Sequence, residues 1–369
     1  MEKFYVNPDI RLAETLPASF YRSQTIFNYL RENVFELTWQ WVGDKDNILP
    51  GIGGSVYPFV YLDEYIPEPM VMIEDKHGVI RCFSNVCTHR GNIIVHKPNN
   101  PEQLVCLYHG RQFNLDGSFK RMPEFKDAKD FPRACDSLHE FEIFKWSNHL
   151  FVGLNPTFDF AEVIDTMNER IGFLPINQFK LEKASSSDYH VNCHWALYCD
   201  NYLEGFHIPF VHENLNSALN YAKYRTLLYD HMSLQIGYSG GTDQVFDLPE
   251  GHIDEGKEIA AYYYWVFPNM MFNFYPWGLS INIVKPISLT ETKVSFITYV
   301  FDENKINKGA GALLDKVQKE DEIVVEGVQS GIQSKYYTTG RFSPKMEKGV
   351  HHFHLLLSKY LNNKINLES

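Results

Sequence analysis

Two short loops of this chain carry thiols and imidazoles in a repeated arrangement: Cys87-Thr88-His89, sixteen intervening residues, then Cys106-Leu107-Tyr108-His109. Two thiolates and two imidazoles, one of each per loop, are the donors required by a [2Fe-2S] cluster with cysteines on one iron and histidines on the other. A zinc site, the usual rival, more often pairs Cys-x-x-Cys with His-x3-5-His than it mixes thiol and imidazole on each loop. Each loop also places a glycine after its ligands, Gly91 and Gly110, where the backbone can turn tightly and aim N–H groups at the cluster sulfurs.

A second set of candidate ligands lies in residues 192–212. Read as one helix, this stretch puts Asp200, Glu204 and His207 on a common face, and Pro209 ends or kinks the helix so that His212 arrives from the next turn. A histidine pair five apart needs a third ligand before it means much. In residues 313–332 an apolar stripe runs through Leu314, Val317, Val324, Val325, Val328 and Ile332, with Asp321 in its middle and Glu320, Glu322 and Glu326 pointing away. A carboxylate on a buried helix face is costly unless a metal or a structural cation such as Lys285 takes it up. His207, His212 and Asp321 together make a 2-His-1-carboxylate set, which binds mononuclear Fe(II) and leaves positions open for O2.

The elements that must position these residues divide at changes of pattern. Residues 1–38 read as an arm ending in a helix, with Phe27, Leu30, Val34 and Leu37 on one face. Residues 39–156 carry short strand-like runs, such as Val71-Met72-Ile73, Ile93-Ile94-Val95 and Leu150-Phe151-Val152, broken by Gly, Pro, Asn and Asp. This is a compact β domain around the cysteine and histidine loops. Residues 157–369 begin with a connector reaching Lys183 and then mix helical and strand-like segments, so the whole reads as an α+β protein.

Composition narrows the function. The 369 residues are 44% hydrophobic and 15% aromatic, ample for about two domains with sizeable cores. A net charge of −12 argues against a nucleic-acid partner. No apolar run approaches a membrane span, and Met1-Glu2-Lys3-Phe4-Tyr5 lacks the basic and apolar regions of a signal peptide, so the expectation is a cytoplasmic protein with no membrane association. Cys82, Cys135, Cys193 and Cys199 then read as buried thiols. Gly51-Ile52-Gly53-Gly54 is too short for a dinucleotide fingerprint and reads as a loop. Tyr262-Tyr263-Tyr264-Trp265, Phe272, Phe274, Tyr275 and Trp277 read as sheet strands that either fill a core or wall a pocket with cation-binding faces. His351, His352 and His354, beside Leu355, Leu356 and Leu357, read as surface or partly buried helix positions rather than a metal tract.

With the Cys-x-His and Cys-x-x-His loops, Glu204-x-x-His207-x4-His212 and the late Asp321 in place, the chain resembles the α subunit of Rieske non-haem iron oxygenases over nearly its whole length. Asn201-Tyr202-Leu203-Glu204, Phe267-Pro268-Asn269-Met270-Met271 and the ending around Tyr336 to Phe353 are most similar to the choline, carnitine and glycine-betaine monooxygenase branch. Asn92 and Leu107 exclude the extra disulfide of respiratory-chain Rieske proteins; Leu107 stands where the family often has Pro, and Arg111 where Trp is common. The resemblance implies an all-β Rieske domain followed by a helix-grip catalytic domain, an antiparallel sheet around a long helix. It implies a head-to-tail homotrimer in which Glu204 accepts hydrogen bonds from His207 and from a cluster histidine of the neighbouring chain. It further implies a separate NAD(P)H-dependent reductase, acting directly or through a ferredoxin, O2 as co-substrate, and hydroxylation of a small organic molecule. A quaternary ammonium compound, with or without N-demethylation, is the expected substrate; an aromatic ring dihydroxylation and a non-catalytic electron carrier are the alternatives.

Overall fold

The computed structural model describes residues 3–51, 54–241 and 244–363, so Ile52 and Gly53 of the expected loop at 51–54 lie outside the described residues. The described chain divides into two compact units, residues 36–158 and residues 3–35 together with 159–363.

The unit of residues 36–158 is built from nine strands: β1 (Trp39–Asp44), β2 (Ser55–Leu62), β3 (Ile66–Glu74), β4 (Ile80–Ser84), β5 (Leu104–Val105), β6 (Gln112–Phe113), β7 (Phe119–Arg121), β8 (Glu140–Trp146) and β9 (His149–Gly153). They form an antiparallel six-stranded sheet in the order β1-β9-β8-β4-β3-β2 and a three-stranded sheet β5-β6-β7. The run Met70–Glu74 is buried at every position, which is why β3 reads as continuous apolar sequence rather than as alternation. Val71, Ile73, Phe83 and Phe113 form a core that also contains Cys87 and Cys106, so the two cysteines stand on packed side chains. Gly117 makes the turn before β7 at φ +77°, and a Cβ there would lie 2.4 Å from the Phe83 ring. Ile93-Ile94-Val95 is not a strand; Ile93 makes a single bridge to Val86 because this stretch leads out of a cluster loop.

The other unit holds eight strands, β10 (Lys180–Leu181), β11 (Ser187–Val191), β12 (Arg225–Tyr229), β13 (Met232–Tyr238), β14 (Ile259–Val266), β15 (Met270–Tyr275), β16 (Gly278–Ser288) and β17 (Glu291–Val300). Their antiparallel order is β10-β17-β16-β15-β14-β13-β12, with β11 also on β17. Its longer helices are α1 (Gln24–Asn33), α2 (Phe160–Ile171), α3 (Trp195–Tyr202), α4 (Leu314–Gly331) and α5 (Lys348–Asn363). Helix α3 packs on β16 and against α4. Strands β14 and β15 are buried throughout because both sheet faces are covered. The period of two still separates their aromatics: Tyr263 and Tyr275 line a cavity, whereas Tyr262 donates to Asp254 Oδ2 at 3.0 Å. The architecture is α+β, as the sequence reading has it.

Three local expectations change. Residues 3–35 pack with residues 159–363 instead of standing apart, since Phe20, Phe27 and Leu30 have no core of their own in so short an arm. Helix α1 stops at Asn33, and Leu37 falls in a 3-10 turn. The stretch read as a connector contains α2, capped by Asp159, whose Phe160, Val163, Ile164, Met167 and Ile171 form a buried stripe at helical spacing. No helix among the described residues is long and apolar enough to cross a membrane.

Candidate cluster fingers and mononuclear metal site

The loops bearing the four expected cluster ligands fold alike. In each, the glycine N–H bonds back to the cysteine carbonyl, Gly91 to Cys87 and Gly110 to Cys106, both at 3.0 Å, with φ of 72° and 73°. These left-handed residues close the turns, as their positions in the sequence imply. Cys87 and Cys106 are buried, while His109 is exposed and the His89 ring lies 4.8 Å from it, centroid to centroid. Burial works to raise the Cys106 thiol, yet the N–H groups of Tyr108 and His109 and the Asn92 amide, 3.6 Å from its sulfur, hold it below its ordinary value. Donors aimed at a sulfur that carries charge suit a cluster thiolate. Among the described residues, no three of these four side chains bring donor atoms within 4.8 Å of one another. A single zinc ion with bonds of roughly 2.0–2.3 Å would need that convergence, whereas ligands shared between two irons would not.

The second site does converge. Donor atoms of His207, His212 and Asp321 all lie within 4.8 Å of one another. Asp321 Oδ1 is 3.0 Å from His212 Nε2 and 3.6 Å from His207 Nε2. Each imidazole meets a carboxylate on its other side: His207 Nδ1 and Glu204 Oε1 are 2.7 Å apart, as are His212 Nδ1 and Glu320 Oε2. Asn201 Nδ2 donates to Asp321 Oδ1 at 2.7 Å. If both Nδ1 atoms give their protons to these carboxylates, two Nε2 lone pairs and a carboxylate face one point, an arrangement that calls for a cation. Burial opposes a positive charge on His212, but Asp321 and Glu320 hold this imidazole above its ordinary value. The donor set therefore fits a divalent metal of the 2-His-1-carboxylate kind.

Several readings of this region need correction. Residues 192–212 are not one helix: α3 ends at Tyr202, residues 203–207 turn, and Ile208–Val211 is a separate short helix with Pro209 in its first turn. Asp200 thus faces away from the site, accepting from Tyr21 Oη and lying 2.9 Å from His354 Nε2. Glu204 belongs to the turn, where its Oε2 accepts the N–H groups of Phe206 and His207. Glu320 does not point away, and neither does Glu326, which accepts from Asn192. His212 reaches α4 from its flank, so the residue one step from Asp321 meets its ring. The sequence signal was a carboxylate adjacent to the ligand aspartate and a histidine still lacking a partner for Nδ1. Val328 is exposed, whereas Gln318, Val325 and Gln329 are buried. Asp321 is met by Asn201 and the two imidazoles. Cys135 is exposed rather than buried. His351 and His354 are buried, bonded to Asn7 and to Asp200 and Tyr21 respectively.

A cavity of about 100 Å³ is lined by Glu204, His207 and Asp321 together with Tyr202, Tyr263 and Tyr275. Some of its polar lining groups bond one another: Tyr202 Oη donates to Asn273 Oδ1 at 2.6 Å, and Ser280 Oγ to Asn282 Oδ1 at 2.9 Å. Among the described residues its charged lining groups are acidic or imidazole, with no Lys or Arg.

Comparison with known proteins agrees in both units. Residues 38–132 match the Rieske [2Fe-2S] domain, and residues 180–363 match the catalytic domain of the ring hydroxylating alpha subunit. The chain is 29% identical over 361 residues to the chloroplastic choline monooxygenase of Arabidopsis thaliana, covering 94% of this chain and 82% of the relative. It is 25% identical over 375 residues to the carnitine monooxygenase oxygenase subunit of Escherichia coli (strain K12), covering 97% and 96%. Among solved structures, the quaternary ammonium Rieske monooxygenase CntA with L-carnitine superposes with a TM-score of 0.75 at 22% identity, over 98% of this chain and 99% of that one. Naphthalene 1,2-dioxygenase from a Rhodococcus species gives 0.70 at 15% identity over 95% of each, so the fold extends beyond the monooxygenases. A Rieske cluster and a mononuclear iron go with these two domains, and the chain belongs to the family of Rieske non-haem iron oxygenase α subunits.

Proposed function

We propose that this chain is the terminal oxygenase component of a monooxygenase that hydroxylates a small quaternary ammonium cation. The observation that carries the reading is the convergence of His207, His212 and Asp321, two of which, His207 and Asp321, also line an aromatic, anionic cavity. Cys87, His89, Cys106 and His109 hold the cluster, and the three convergent side chains hold Fe(II). When bound, these groups supply one-electron transfer and O2 activation. The protein's part is geometric: Glu204 and Glu320 fix the two imidazoles, Asn201 aims Asp321, and the tyrosines exclude water and present ring faces to a cation. The balance is substrate C–H plus O2, two electrons and two protons, giving C–OH and water. A cavity without Lys or Arg among its described lining residues favours a cation with a neutral tail, such as choline, over a betaine carrying a carboxylate. Curated relatives that act on choline and on carnitine support the substrate class.

Electrons come from a separate NAD(P)H-dependent reductase, and the working unit is a homotrimer in which Glu204 links His207 to a cluster histidine of the next copy. The bridging role has half its geometry in the 2.7 Å contact with His207. Exposed Leu107 and Tyr108 at the cluster finger, and exposed Phe206 and Phe210 beside His207, are apolar surface that such an interface would cover. Six free cysteines are consistent with a reducing compartment such as the cytoplasm. The test is to reduce iron-loaded protein chemically, add O2 and a panel of quaternary amines and aromatic acids, and identify products by mass spectrometry with a formaldehyde assay. Oxygenated or demethylated amines support the proposal; products from aromatic acids alone would replace the substrate class.

A further inference from the structure

Arg111, at 1% exposure, is more deeply buried than any other Arg, Lys, Asp or Glu among the described residues of the cluster-bearing unit. It follows His109 and Gly110, and its guanidinium carbon lies 5.7, 4.9 and 5.6 Å from the ring centres of Phe113, Phe119 and Phe131. Its Nη2 donates to Asp136 Oδ1 at 2.7 Å and to the Asp136 carbonyl at 2.9 Å. That same carbonyl accepts the Thr88 hydroxyl at 2.8 Å, and Thr88 stands between Cys87 and His89. Asp136 therefore takes hydrogen bonds from both cluster fingers. Its own place is fixed by the Arg133 N–H, which donates to Oδ2 at 2.7 Å. The Arg111 carbonyl in turn accepts the Cys106 N–H at 2.8 Å.

We propose that Arg111 and Asp136 form a charged staple that locks the two fingers together and, through the arginine's buried positive charge, biases the cluster toward its reduced state. Stability alone does not account for the pair, because a buried ion pair commonly gains little over well-packed apolar side chains. What an apolar replacement could not supply is a fixed cation within electrostatic reach of the ligands. Arg111 belongs to the second finger itself, two residues after His109 and with its carbonyl on the Cys106 N–H, whereas the Asp136 carboxylate is turned toward the guanidinium and offsets only part of its charge. One electron arriving from the reductase adds a negative charge to the cluster, and a cation in a poorly screened interior stabilises that state. Arg111 is thus a positioning residue that also sets a potential. The inference rests on the assignment of a Rieske cluster to these fingers.

Mediated redox titration of the purified holoenzyme, followed by the electron paramagnetic resonance signal of the reduced cluster, tests it. Arg111→Gln is expected to keep the signal while the equilibrium constant for reduction falls about tenfold, or about 59 mV for one electron. Arg111→Lys keeps the charge but loses the fork, so its potential stays near wild type while the cluster is lost faster on warming. Asp136→Asn removes the compensating charge and raises the potential. An Arg111→Gln protein with a normal signal and an unchanged potential overturns the proposal. If that variant fails to hold a cluster, Asp136→Asn decides, and an unchanged or lowered potential overturns it. A wild-type protein without a Rieske signal would overturn the cluster assignment instead, a distinct outcome.

Discussion

Glu320 offers the sharpest quantitative consequence of the metal-site geometry. Its Oε2 lies 2.7 Å from His212 Nδ1, and the His212 ring it meets is only 2% exposed. Alanine at this position removes a charge-assisted hydrogen bond worth about 1.5–3 kcal/mol and strands a buried N–H. The Glu320 side chain is 25% exposed and Lys316 Nζ lies 3.6 Å from its other oxygen, which places the loss toward the lower half of that range. At about 1.4 kcal/mol per factor of ten, Fe(II) affinity should fall roughly 10- to 50-fold, within the usual range for partners of metal-bound histidines. Glu320→Gln retains an acceptor without charge and should lose about tenfold or less. Competition of Fe(II) between protein and a chromophoric chelator measures this, with the cluster spectrum as a check that the other unit is intact. Iron retention by Glu320→Ala equal to that of wild type would refute the reasoning and leave Glu320 as an ordinary surface partner of Lys316.

Glu204→Gln should leave both metal sites filled, since Gln still accepts from His207, yet slow reoxidation of the reduced cluster by substrate and O2 at least tenfold in stopped-flow experiments; wild-type rates would remove the bridging role. Burial pushes His149 down to about 4 and His194 down to about 3. Their unfolded forms take up protons below about pH 6.5 while the folded forms do not, so stability is full above that pH and falls as pH drops toward 4. The loss is up to about 1.4 kcal/mol per histidine and pH unit. Thermal melts of metal-free protein at pH 7 and pH 5 should show it, and equal midpoints would contradict the burial of both rings. In the substrate panel, choline should be turned over with kcat/KM at least tenfold above that for carnitine, and the reverse order would show that a positive group reaches the cavity on binding.

How much of this was legible beforehand follows from how local each signal is. The turns of the two cysteine–histidine loops were readable, because Cys-x-His-x-Gly and Cys-x-x-His-Gly place the candidate donors and the turn glycines within a few residues. Asp321 was found through a conflict, a carboxylate in an apolar stripe, and the structure resolves that conflict with Asn201 and two imidazoles. The extent of the helix before His207 was overestimated, because residues 203–205 carry no strong breaker until Gly205, whose missing Cβ leaves room for the Tyr224 ring at 2.8 Å. That contact is between residues far apart in sequence. Glu320 and the Arg111–Asp136 pair escaped for the same reason: their roles depend on a loop arriving from elsewhere. Residues 3–35 show the limit most plainly, since Leu16 N–H finds His354 Nδ1 across 338 positions.

A single turnover under isotopically labelled O2 tests the central claim most directly. Chemically reduced, iron-loaded protein is mixed with choline and 18O2, beside an Asp321→Ala protein that retains its cluster. One labelled oxygen atom in a product of the wild type trapped by reduction before it exchanges with water, either the hydroxylated amine or the formaldehyde released from it, with none from the variant, is the predicted result. Wild-type protein with both metals present that oxidises its cluster but yields no labelled product from any quaternary amine would contradict the oxygenase account and leave an electron carrier in its place.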